Sequence, residues 1–439
     1  MKPTYVFAPF VLALSIACFG QTEPRSVAAL DASASALSVD DAVAAALQSN
    51  PDIRAAVRRL SLAQLKTTTA HSLDDPMLMV RDWDTPVAKP WDLNQAQLMV
   101  SLQQTFLSRQ KRDARAKLAE DDAGVAANDL EALRQEISVE VRKLCIGLLR
   151  NADEERLQAR QSSLLKEAIT AALAEYTTGK APQADVLRAQ MAMTRLNAQL
   201  IEREEERDNA RAQLNALMGR RPEEAIEIAG SYTSPAALPS IEELEQAAME
   251  HRPELAALRA QVTKSRDEGK LTRLAMKPDF TVGLGYMLMP TGSLARNAYM
   301  GEVSMNLPRL NRERHEGETK QADAATDVSQ AELDARAATV FLEIRQSQIA
   351  VLAAQKRVKL YRDTLLPQAE ASFKASTAAY QNNRAELMSL IDAQGLLLDI
   401  QTATYKASAA TDEGMAQLER AIGAPIANPT KLNPVRTSK

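Results

Sequence analysis

The amino-acid sequence predicts a mainly α-helical protein with a small β portion, arranged as two tandem copies of one plan. Three observations predict this fold class. The 439 residues include only 15 glycines and 4% aromatic residues, and the abundant Ala, Leu, Gln, Arg and Glu favour helices. Rare residue types recur in order at a nearly constant spacing. Apolar residues follow helical spacing over stretches far longer than an ordinary globular helix.

The repeat is marked by prolines, tyrosines and glycines that recur 202 to 204 residues apart. The pairs are Asn50-Pro51-Asp52 with Arg252-Pro253-Glu254, Pro76 with Pro278, Tyr176-Thr177-Thr178-Gly179 with Tyr380-Gln381-Asn382-Asn383, and Leu217-Met218-Gly219 with Ala421-Ile422-Gly423. Chance similarity between two Ala-rich amphipathic stretches is the alternative, but the order of these rare residues argues for an internal repeat. We assign repeat 1 to residues 38–230 and repeat 2 to residues 231–424.

The two ends of the chain are predicted to lie outside the repeats. Lys2 precedes an apolar stretch at residues 6–17, an order typical of an export signal, which we assign to residues 1–18. Residues 14–18 resemble a bacterial lipobox ending at Cys18, but Ser15 stands where such boxes usually carry Leu. Lipidation of Cys18 and ordinary signal-peptide cleavage both stay open. Residues 19–37 are a predicted linker and residues 425–439 a predicted tail.

Each repeat is predicted to contain, in order, a helix, two short strands, a very long helix, a tight turn and a returning helix. The predicted elements are helices over 39–73, strands 77–83 and 98–104 and helix 111–176 in the first repeat, and strands 280–287 and 298–306 and helix 312–380 in the second. At 1.5 Å per residue each long helix measures on the order of 100 Å.

The long and the returning helices carry residues at heptad spacing, which predicts coiled-coil packing. The seam positions are Val340, Ile344, Ser347, Val351, Ala354, Val358, Tyr361 and Leu365 on the second long helix, Val186, Ala189, Met193, Leu196 and Leu200 on the first returning helix, and Leu390, Ala393, Leu397, Ile400 and Thr404 on the second. A plain coiled-coil scaffold would show such seams too, so they indicate only that long helices associate.

Composition and charge exclude several classes of function. A net charge of −4 without a basic tract argues against a nucleic-acid partner. His71, His251 and His315 have no second ligand at metal spacing, and Cys145 is expected to be a buried core residue. No nucleotide fingerprint or group of convergent catalytic residues stands out. We therefore expect no enzyme activity, no cofactor and no metal site.

The strands set the expected number of subunits. Beyond the N-terminus no apolar run reaches about 18 residues, so a membrane-spanning part would have to consist of strands. Four strands cannot close a membrane barrel, which needs at least about eight. Two copies would supply eight strands and a filled interior, whereas three would supply twelve and leave room for a pore. The sequence thus favours a trimer.

Seven methionines lie in or beside the predicted strands. They are Met77, Met79, Met99, Met287, Met289, Met300 and Met305. Thioethers are suitable ligands for soft cations such as Cu(I) or Ag(I). The interpretation favoured by the sequence alone is that these side chains form the apolar band that faces lipid or pack beneath it.

Taken in order and in duplicate, these motifs make the chain similar to the outer-membrane efflux proteins of the TolC type. The resemblance extends from Ser38 to about Gly423 and depends on the duplicated helix starts and on the tip turns that begin at Tyr176 and Tyr380. Residues 75–78 and 101–106 look most like members that serve heavy-metal efflux pumps. Residues 108–112 depart from the Pro-Gly-Lys-Arg or Gly-Gly-Lys-Arg turn usual in those members.

The resemblance implies a passive conduit in the bacterial outer membrane. It would be a homotrimer whose transmembrane β-barrel continues into a long α-helical coiled-coil barrel, a tunnel through the periplasm. Its partners would be a periplasmic adaptor of the membrane-fusion type and an inner-membrane pump of the RND type, and its exported substrates would be heavy-metal cations. A drug-efflux or type I secretion conduit of the same fold is the alternative. A periplasmic coiled-coil adaptor is a more remote one, because it would carry one hairpin rather than two.

The resemblance also implies where the functional residues lie. The hairpin tips would dock the adaptor through Tyr176, Gly179, Lys180, Tyr380, Asn383 and Arg384. Asn383 stands where this turn usually carries Gly, but Asn tolerates the left-handed conformation.

The gate of the conduit is expected where the helices converge near the tips. Asp392 matches by position an aspartate that lines the constriction in the family, and Asp185 occupies the other acidic place, in the first hairpin. Arg188 lies 204 residues before Asp392, so a ring of Asp392 paired with Arg188 would hold the gate closed. The alternative is that these are exposed helix charges worth about 0 to 1 kcal/mol.

Overall fold

Two long helical hairpins and one four-stranded sheet make up most of the described chain. The computed structural model describes residues 36–83, 97–180, 182–232, 237–289, 297–382 and 384–426. The predicted export signal with Cys18, most of the predicted linker and tail, and the tip residue Asn383 lie outside these residues.

The described elements follow the predicted order in both halves. The helices are α1 (Val39–Ser49), α2 (Pro51–Ala70), α3 (Arg109–Thr177), α4 (Gln183–Leu217), α5 (Ile241–His251), α6 (Pro253–Leu274), α7 (Arg312–Leu360), α8 (Leu366–Gln381) and α9 (Leu387–Ile422). The strands are β1 (Leu37–Ser38), β2 (Met77–Trp83), β3 (Gln97–Phe106), β4 (Ile228–Ala229), β5 (Phe280–Leu288) and β6 (Asn297–Met305). The helices predicted over 39–73 are α1 and α2, and the chain turns at Asn50 between them, before Pro51.

The duplicated helix starts share a proline and differ in their N-caps. Asn50 is the N-cap of α2, and its carboxamide oxygen accepts hydrogen bonds from the backbone N–H groups of Asp52 at 2.8 Å and Ile53 at 3.1 Å. This satisfies two of the donors that a helix start leaves without a partner. Arg252 is the N-cap residue of α6 and makes no such side-chain bond. Both starts place proline at the first helical position, where its missing N–H costs nothing.

The start of each repeat is bonded to its end in the same way. The Asn50 amide donates to the carbonyl of Leu217 at 2.9 Å, and the Arg252 guanidinium donates to the carbonyl of Ala421 at 3.1 Å. Gly219 and Gly423 follow these carbonyls with φ of 67° and 83°, in the left-handed region that favours glycine. A Cβ on Gly219 would lie 2.6 Å from the Ser49 carbonyl oxygen, so the two ends of the repeat pack in direct backbone contact.

Long helices pack side by side to form the core. Helix α3 packs against α2 and α6 near the strands and against α4 and α9 further along, and α7 packs against α6 and α9. The predicted seam of α7 is largely confirmed: Val340, Ile344, Val351, Ala354 and Val358 are buried, although Gln348 takes the buried place predicted for Ser347.

The predicted seam of the second returning helix was wrong. In α9 the buried positions near the tip are Leu387, Ile391 and Gln394, and the predicted positions are only partly buried. The difference arises because α9 lies between α3 and the α7–α8 helix and packs against both, whereas α4 packs mainly against α3. A helix with neighbours on two sides buries a wider stripe than a single heptad seam.

The helix predicted over 312–380 contains a π turn at Tyr361–Leu365, between α7 and α8. Pro367, in the first turn of α8, has no N–H to donate to the preceding turn, and this missing hydrogen bond favours a local departure from α geometry. Upstream, a short 3-10 turn at Pro308–Asn311 leads from β6 into α7.

The four longer strands form one antiparallel sheet in the order β2-β3-β5-β6, and the two-residue strands β1 and β4 pair in parallel. The hairpins of the two repeats therefore meet through β3 and β5, in the register Ser101 opposite Gly285. Within the described residues, β2 and β6 each pair along one edge only.

Candidate functional site

The two hairpin tips share one backbone hydrogen-bond pattern. In the first tip the N–H of Lys180 donates to the carbonyl of Glu175 at 2.8 Å, and in the second the N–H of Arg384 donates to Ala379 at 2.8 Å. This bond closes a helix end in which the residue before the donor takes a left-handed conformation. Gly179 fills that place in the first tip with φ of 72°. The two tip turns thus share the backbone hydrogen bond that closes them.

The two tip tyrosines do not play the same part. Tyr176 is exposed, whereas Tyr380 is partly buried and its hydroxyl donates to the carboxylate of Glu175 at 3.1 Å. Burial, and then the hydrogen bond and charge of Glu175, raise the pKa of Tyr380. Tyr380 therefore joins the second hairpin to the first, and the predicted docking residues with exposed side chains in the described chain are Tyr176, Lys180 and Arg384.

A small apolar cluster holds the two hairpins together behind the tips. Its buried members are Leu165 and Ala172 on α3, Val186, Ala189 and Leu196 on α4, and Leu387 and Ile391 on α9. Each hairpin supplies part of the cluster, so a change in the angle between the hairpins would expose apolar surface. This cost resists separation of the tips.

The predicted gate residues lie on the first turns of the two returning helices. The guanidinium of Arg188 is 4.0 Å from the carboxylate of Asp185, one turn away on α4, and Arg188 is mostly exposed. Asp392 is exposed on α9, and within the described residues it has no ion pair. The structure of one chain thus brings Arg188 to Asp185 and does not bring it to Asp392. Both hairpins nevertheless carry an acidic side chain in the turns just after the tip.

A buried ion cluster between α3 and α4 was not predicted. Glu154 is almost fully buried, and its carboxylate lies 3.0 Å from the Nε of Arg203 and 3.8 Å from that of Arg150, although neither contact has hydrogen-bond alignment. Burial raises the pKa of Glu154, and the neighbouring Arg203, Lys406 and Arg150 charges only partly oppose this effect. The sequence signal was present as charged residues at inward positions of both helices, but the pairing depends on the alignment of the two helices in the hairpin.

The sheet has two faces of different chemistry. One face is mainly aliphatic and aromatic, and its exposed apolar side chains are Leu78, Val80, Val100, Leu102, Phe106, Phe280, Val282, Leu284, Tyr286, Tyr299, Val303 and Met305. The other face carries Arg81, Ser101, Gln103, Thr105, Thr281 and Glu302 together with a set of methionines, which we call the methionine face: Met77, Met79, Met99, Met287, Met289 and Met300. Alternation along paired strands sends the two sets to opposite sides.

This arrangement divides the seven methionines between the two faces of the sheet. Among the seven, Met305 alone shares the aliphatic face, and the other six belong to the face that also carries the polar side chains. The register explains the result, since Met79, Ser101, Gly285 and Met300 form one row across the four strands. A place in the apolar band therefore fits Met305 alone among the seven, and packing beneath the band stays a prediction for the other six.

Two properties of the described residues bear on function. None of the described helices is long and apolar enough to cross a bilayer. No group of three or more His, Cys, Asp or Glu side chains in the described ranges could hold a metal ion. Cys145 is buried, as expected, and burial raises the pKa of its thiol to about 12.

Comparison with known proteins gives the family and the fold. The family described as outer membrane efflux protein matches residues 42–220 and 244–424. The chain is 23% identical over 389 residues to the cobalt-zinc-cadmium resistance protein CzcC of Cupriavidus metallidurans, across 88% of this chain and 90% of the relative.

Solved structures agree over nearly the whole length. The outer-membrane channel OprN is similar with a TM-score of 0.73 at 18% identity, covering 88% of this chain and 90% of that one. The outer membrane protein VceC of Vibrio cholerae has a TM-score of 0.72 at 19% identity, covering 89% and 97%. CusC, described in terms of transmembrane channel formation, has a TM-score of 0.74 at 13% identity, covering 89% and 93%. The chain belongs to the outer membrane efflux protein family, and its tandem hairpins and sheet are those of an efflux channel component of the outer membrane.

Proposed function

We propose that three copies of this chain form the outer-membrane exit duct of a tripartite efflux system that expels heavy-metal cations. The observation that carries the choice of cargo is the match to a cobalt-zinc-cadmium resistance protein over 90% of that relative's length. The partners are a periplasmic adaptor and an inner-membrane pump of the RND type. In this role the duct is a passive conduit: it crosses the outer membrane and opens and closes at its gate.

The need for several copies follows from the open edges of the sheet. Strands β2 and β6 each lack a partner on their outer side within the described residues, and unpaired strand edges seek another strand. Three sheets joined edge to edge make a closed barrel of twelve strands, with the aliphatic face toward lipid and the methionine face toward the lumen. Apolar side chains are also exposed on α2 (Leu62, Leu65), α4 (Met191, Ile201) and α7 (Leu342, Ile349), where neighbouring copies would cover them.

Adaptor docking is assigned to the tips. Lys180 and Arg384 are exposed at equivalent places of the two repeats, beside the exposed Tyr176. Three chains would present six such tips in a ring. An adaptor with acidic or carbonyl groups at six-fold related positions would fit this ring, because each cation can donate several hydrogen bonds.

The gate is assigned to the acidic residues behind the tips. A ring of three Asp392 side chains on α9 would attract cations, and the Asp185–Arg188 pair on α4 would face it from the neighbouring hairpins. Because Arg188 already has a loose partner on its own helix, its pairing with Asp392 of another copy is in competition with Asp185. This competition gives a closed and an open arrangement of similar energy.

Conductance in planar lipid bilayers tests the duct and the gate. The parent protein should form channels that select for cations, Asp392→Ala should lower that selectivity, and Arg188→Ala should raise the resting conductance. Arg221→Ala, an exposed arginine in the connection after α4, is the matched control. Unchanged selectivity and conductance in both gate variants across a range of salt concentrations would place the gate elsewhere.

The cargo is tested in cells. Deletion should sensitise the cells to cobalt, zinc, cadmium, copper or silver more than to dyes and detergents. The reverse pattern would favour a drug-efflux or type I secretion conduit of the same fold. A requirement for the adaptor is tested with Lys180→Glu and Arg384→Glu, which should lose resistance while keeping conductance.

A further inference from the structure

The methionine face has a centre at which two methionines lie opposite each other on neighbouring strands. Met99 on β3 and Met287 on β5 are direct partners in the register, and Met99 is 1% exposed. Side chains of directly opposite residues have Cβ atoms about 5 Å apart, which is within the reach of two methionines that share one small ligand. Met79 and Met300 lie one row away, on the two outer strands.

The row that contains Met79 and Met300 has small residues at its two inner positions, and a Cβ on Gly285 would lie 3.1 Å from the Cβ of Ser101. Its two inner positions are Ser101 and Gly285. Ser101 is buried with a hydroxyl that has no hydrogen-bond partner, and Gly285 carries no side chain. The thioethers of the outer strands therefore flank small residues.

A single polar group already occupies a point between two of the sulfur atoms. The side-chain nitrogen of Gln97 lies 3.1 Å from the sulfur of Met287 and 3.5 Å from that of Met289. Its N–H groups are the positive end of an amide, so two thioethers direct lone pairs toward one electropositive centre. A soft cation accepts the same sulfur lone pairs, and it forms stronger bonds with them than an N–H group does.

We propose that the methionine face binds a soft monovalent cation, Cu(I) or Ag(I), through Met99 and Met287, with Met79 and Met289 as additional ligands. The inference rests on the proposed function, because it names the class of cation that the lumen of the proposed duct accepts. Thioethers are neutral and soft, and they discriminate against Zn(II) and Co(II), which prefer nitrogen, oxygen or thiolate ligands. The site would serve cations of the copper group, which belong to the heavy-metal class proposed for the duct.

The charged groups on the same face make the site a weak one. Arg81 ends the row that contains Met99 and Met287, on the outer strand β2, and Glu302 lies two rows away on β6, bonded to Gln103 at 3.2 Å. The nearer charge is thus positive and opposes cation binding. Weak binding suits a passage, because a cation that enters must also leave.

Methyl NMR on the full protein in detergent, labelled with 13C at the methionine methyl groups, tests the proposal with Ag(I) as the probe. Ag(I) should shift the methyl signals of Met99 and Met287, which single Met→Leu variants assign, and should leave Met305 on the opposite face unchanged. The double variant Met99→Leu with Met287→Leu should weaken Ag(I) binding by about tenfold or more, since loss of groups that merely support a ligand already costs that much. Met305→Leu is the matched control and should bind like the parent.

Two further arms separate binding by the thioethers from binding by the Gln97 amide and from a general response to metal ions. Gln97→Leu removes the competing N–H group and keeps the sulfur atoms, so it should preserve or strengthen Ag(I) binding, whereas lost binding would show that the amide is the ligand and overturn the proposal. Zn(II) at the same concentration should leave the methionine signals in place. Methyl signals of Met99 and Met287 that do not respond to excess Ag(I), or respond to Zn(II) instead, would also overturn it.

The same samples keep this outcome distinct from the function of the duct. Bilayer conductance of the Met305→Leu protein should match the parent, because Met305 lies on the opposite face of the sheet. Conductance without a methionine response would refute the cation site and leave the channel standing. Absence of conductance in the parent would refute the channel, whatever Ag(I) does.

Discussion

The bond between the start and the end of the second repeat depends on one buried arginine, and its removal is a demanding test of the fold. The Arg252 side chain is 1% exposed and donates to the Ala421 carbonyl at 3.1 Å, to Glu254 at 3.0 Å and to Glu343 at 2.6 Å. Arg336 also bonds both carboxylates. The group therefore pairs two cations with two anions at the joint.

We expect Arg252→Ala to lower the free energy of unfolding by about 3 kcal/mol, the lower end of what removal of one partner from a buried ion pair costs. The lower end applies because both glutamates are partly exposed and keep Arg336. The equivalent change in the first repeat, Asn50→Ala, loses one N-cap and one bond to a carbonyl, together about 2 kcal/mol. Arg221→Ala, at an exposed site, should change stability by less than about 0.5 kcal/mol.

The pH dependence supplies a second readout. Burial alone would raise the pKa of Glu254, but the hydrogen bonds and charges of Arg336 and Arg252 outweigh it and lower the pKa. Stability from this carboxylate is present above the unfolded pKa of about 4.3 and is lost as the pH falls through the folded value. The difference in the free energy of unfolding between the parent and Arg252→Ala should therefore become smaller below about pH 4.

Denaturant unfolding followed by far-UV circular dichroism, on all four proteins in one detergent, measures both effects. If Arg252→Ala unfolds at the same denaturant concentration as Arg221→Ala, the joint does not hold the repeat together and the reasoning fails. If the parent and Arg252→Ala differ in stability by the same amount at pH 3.5 and at pH 7, the contribution assigned to the Glu254 carboxylate is refuted.

Three other substitutions are expected to act through single, local causes. Gly423→Ala should destabilise by about 1 to 3 kcal/mol, because its φ is 83° and a Cβ would lie 2.7 Å from the backbone of Arg252; Gly147→Ala, in open space within α3, should be neutral or slightly stabilising in the same melts. The raised pKa of Glu154 means that the folded protein holds this proton more tightly than the unfolded chain, so stability from this group rises as the pH falls through the folded pKa, and Glu154→Gln should flatten that rise; an unchanged pH profile would contradict the assignment. Tyr380→Phe removes the bond to Glu175 at 3.1 Å and should raise resting conductance with little change in overall stability, and equal conductance would show that the bond does not restrain the tips.

Much of the fold could be predicted because it is encoded locally and twice. Strand β2 begins and ends where alternation in the sequence placed it, and α3 begins and ends within two residues of its predicted bounds. Proline and glycine at matching places fixed the joints and the first tip turn.

What could not be predicted depends on how separate segments are aligned. The two faces of the sheet require the register of β3 against β5, which pairs residues nearly two hundred positions apart. The contact of Glu154 with Arg203 likewise requires the alignment of two helices across a hairpin. Charged residues do not contribute to the apolar periodicity of a helix, so the sequence pattern does not show which of them are buried.

The π turn between α7 and α8 is the trace of an insertion. Before it, buried positions of the second long helix match those of the first at a spacing of 203, as in Ile137 with Val340 and Val141 with Ile344. After it, Leu165 matches Ala369 at a spacing of 204. One extra residue in a regular α-helix would rotate everything beyond it by about 100°. The π turn accommodates that extra residue. The long helix of the second repeat can therefore be one residue longer than that of the first, while the part near its tip turns the same face toward its neighbours.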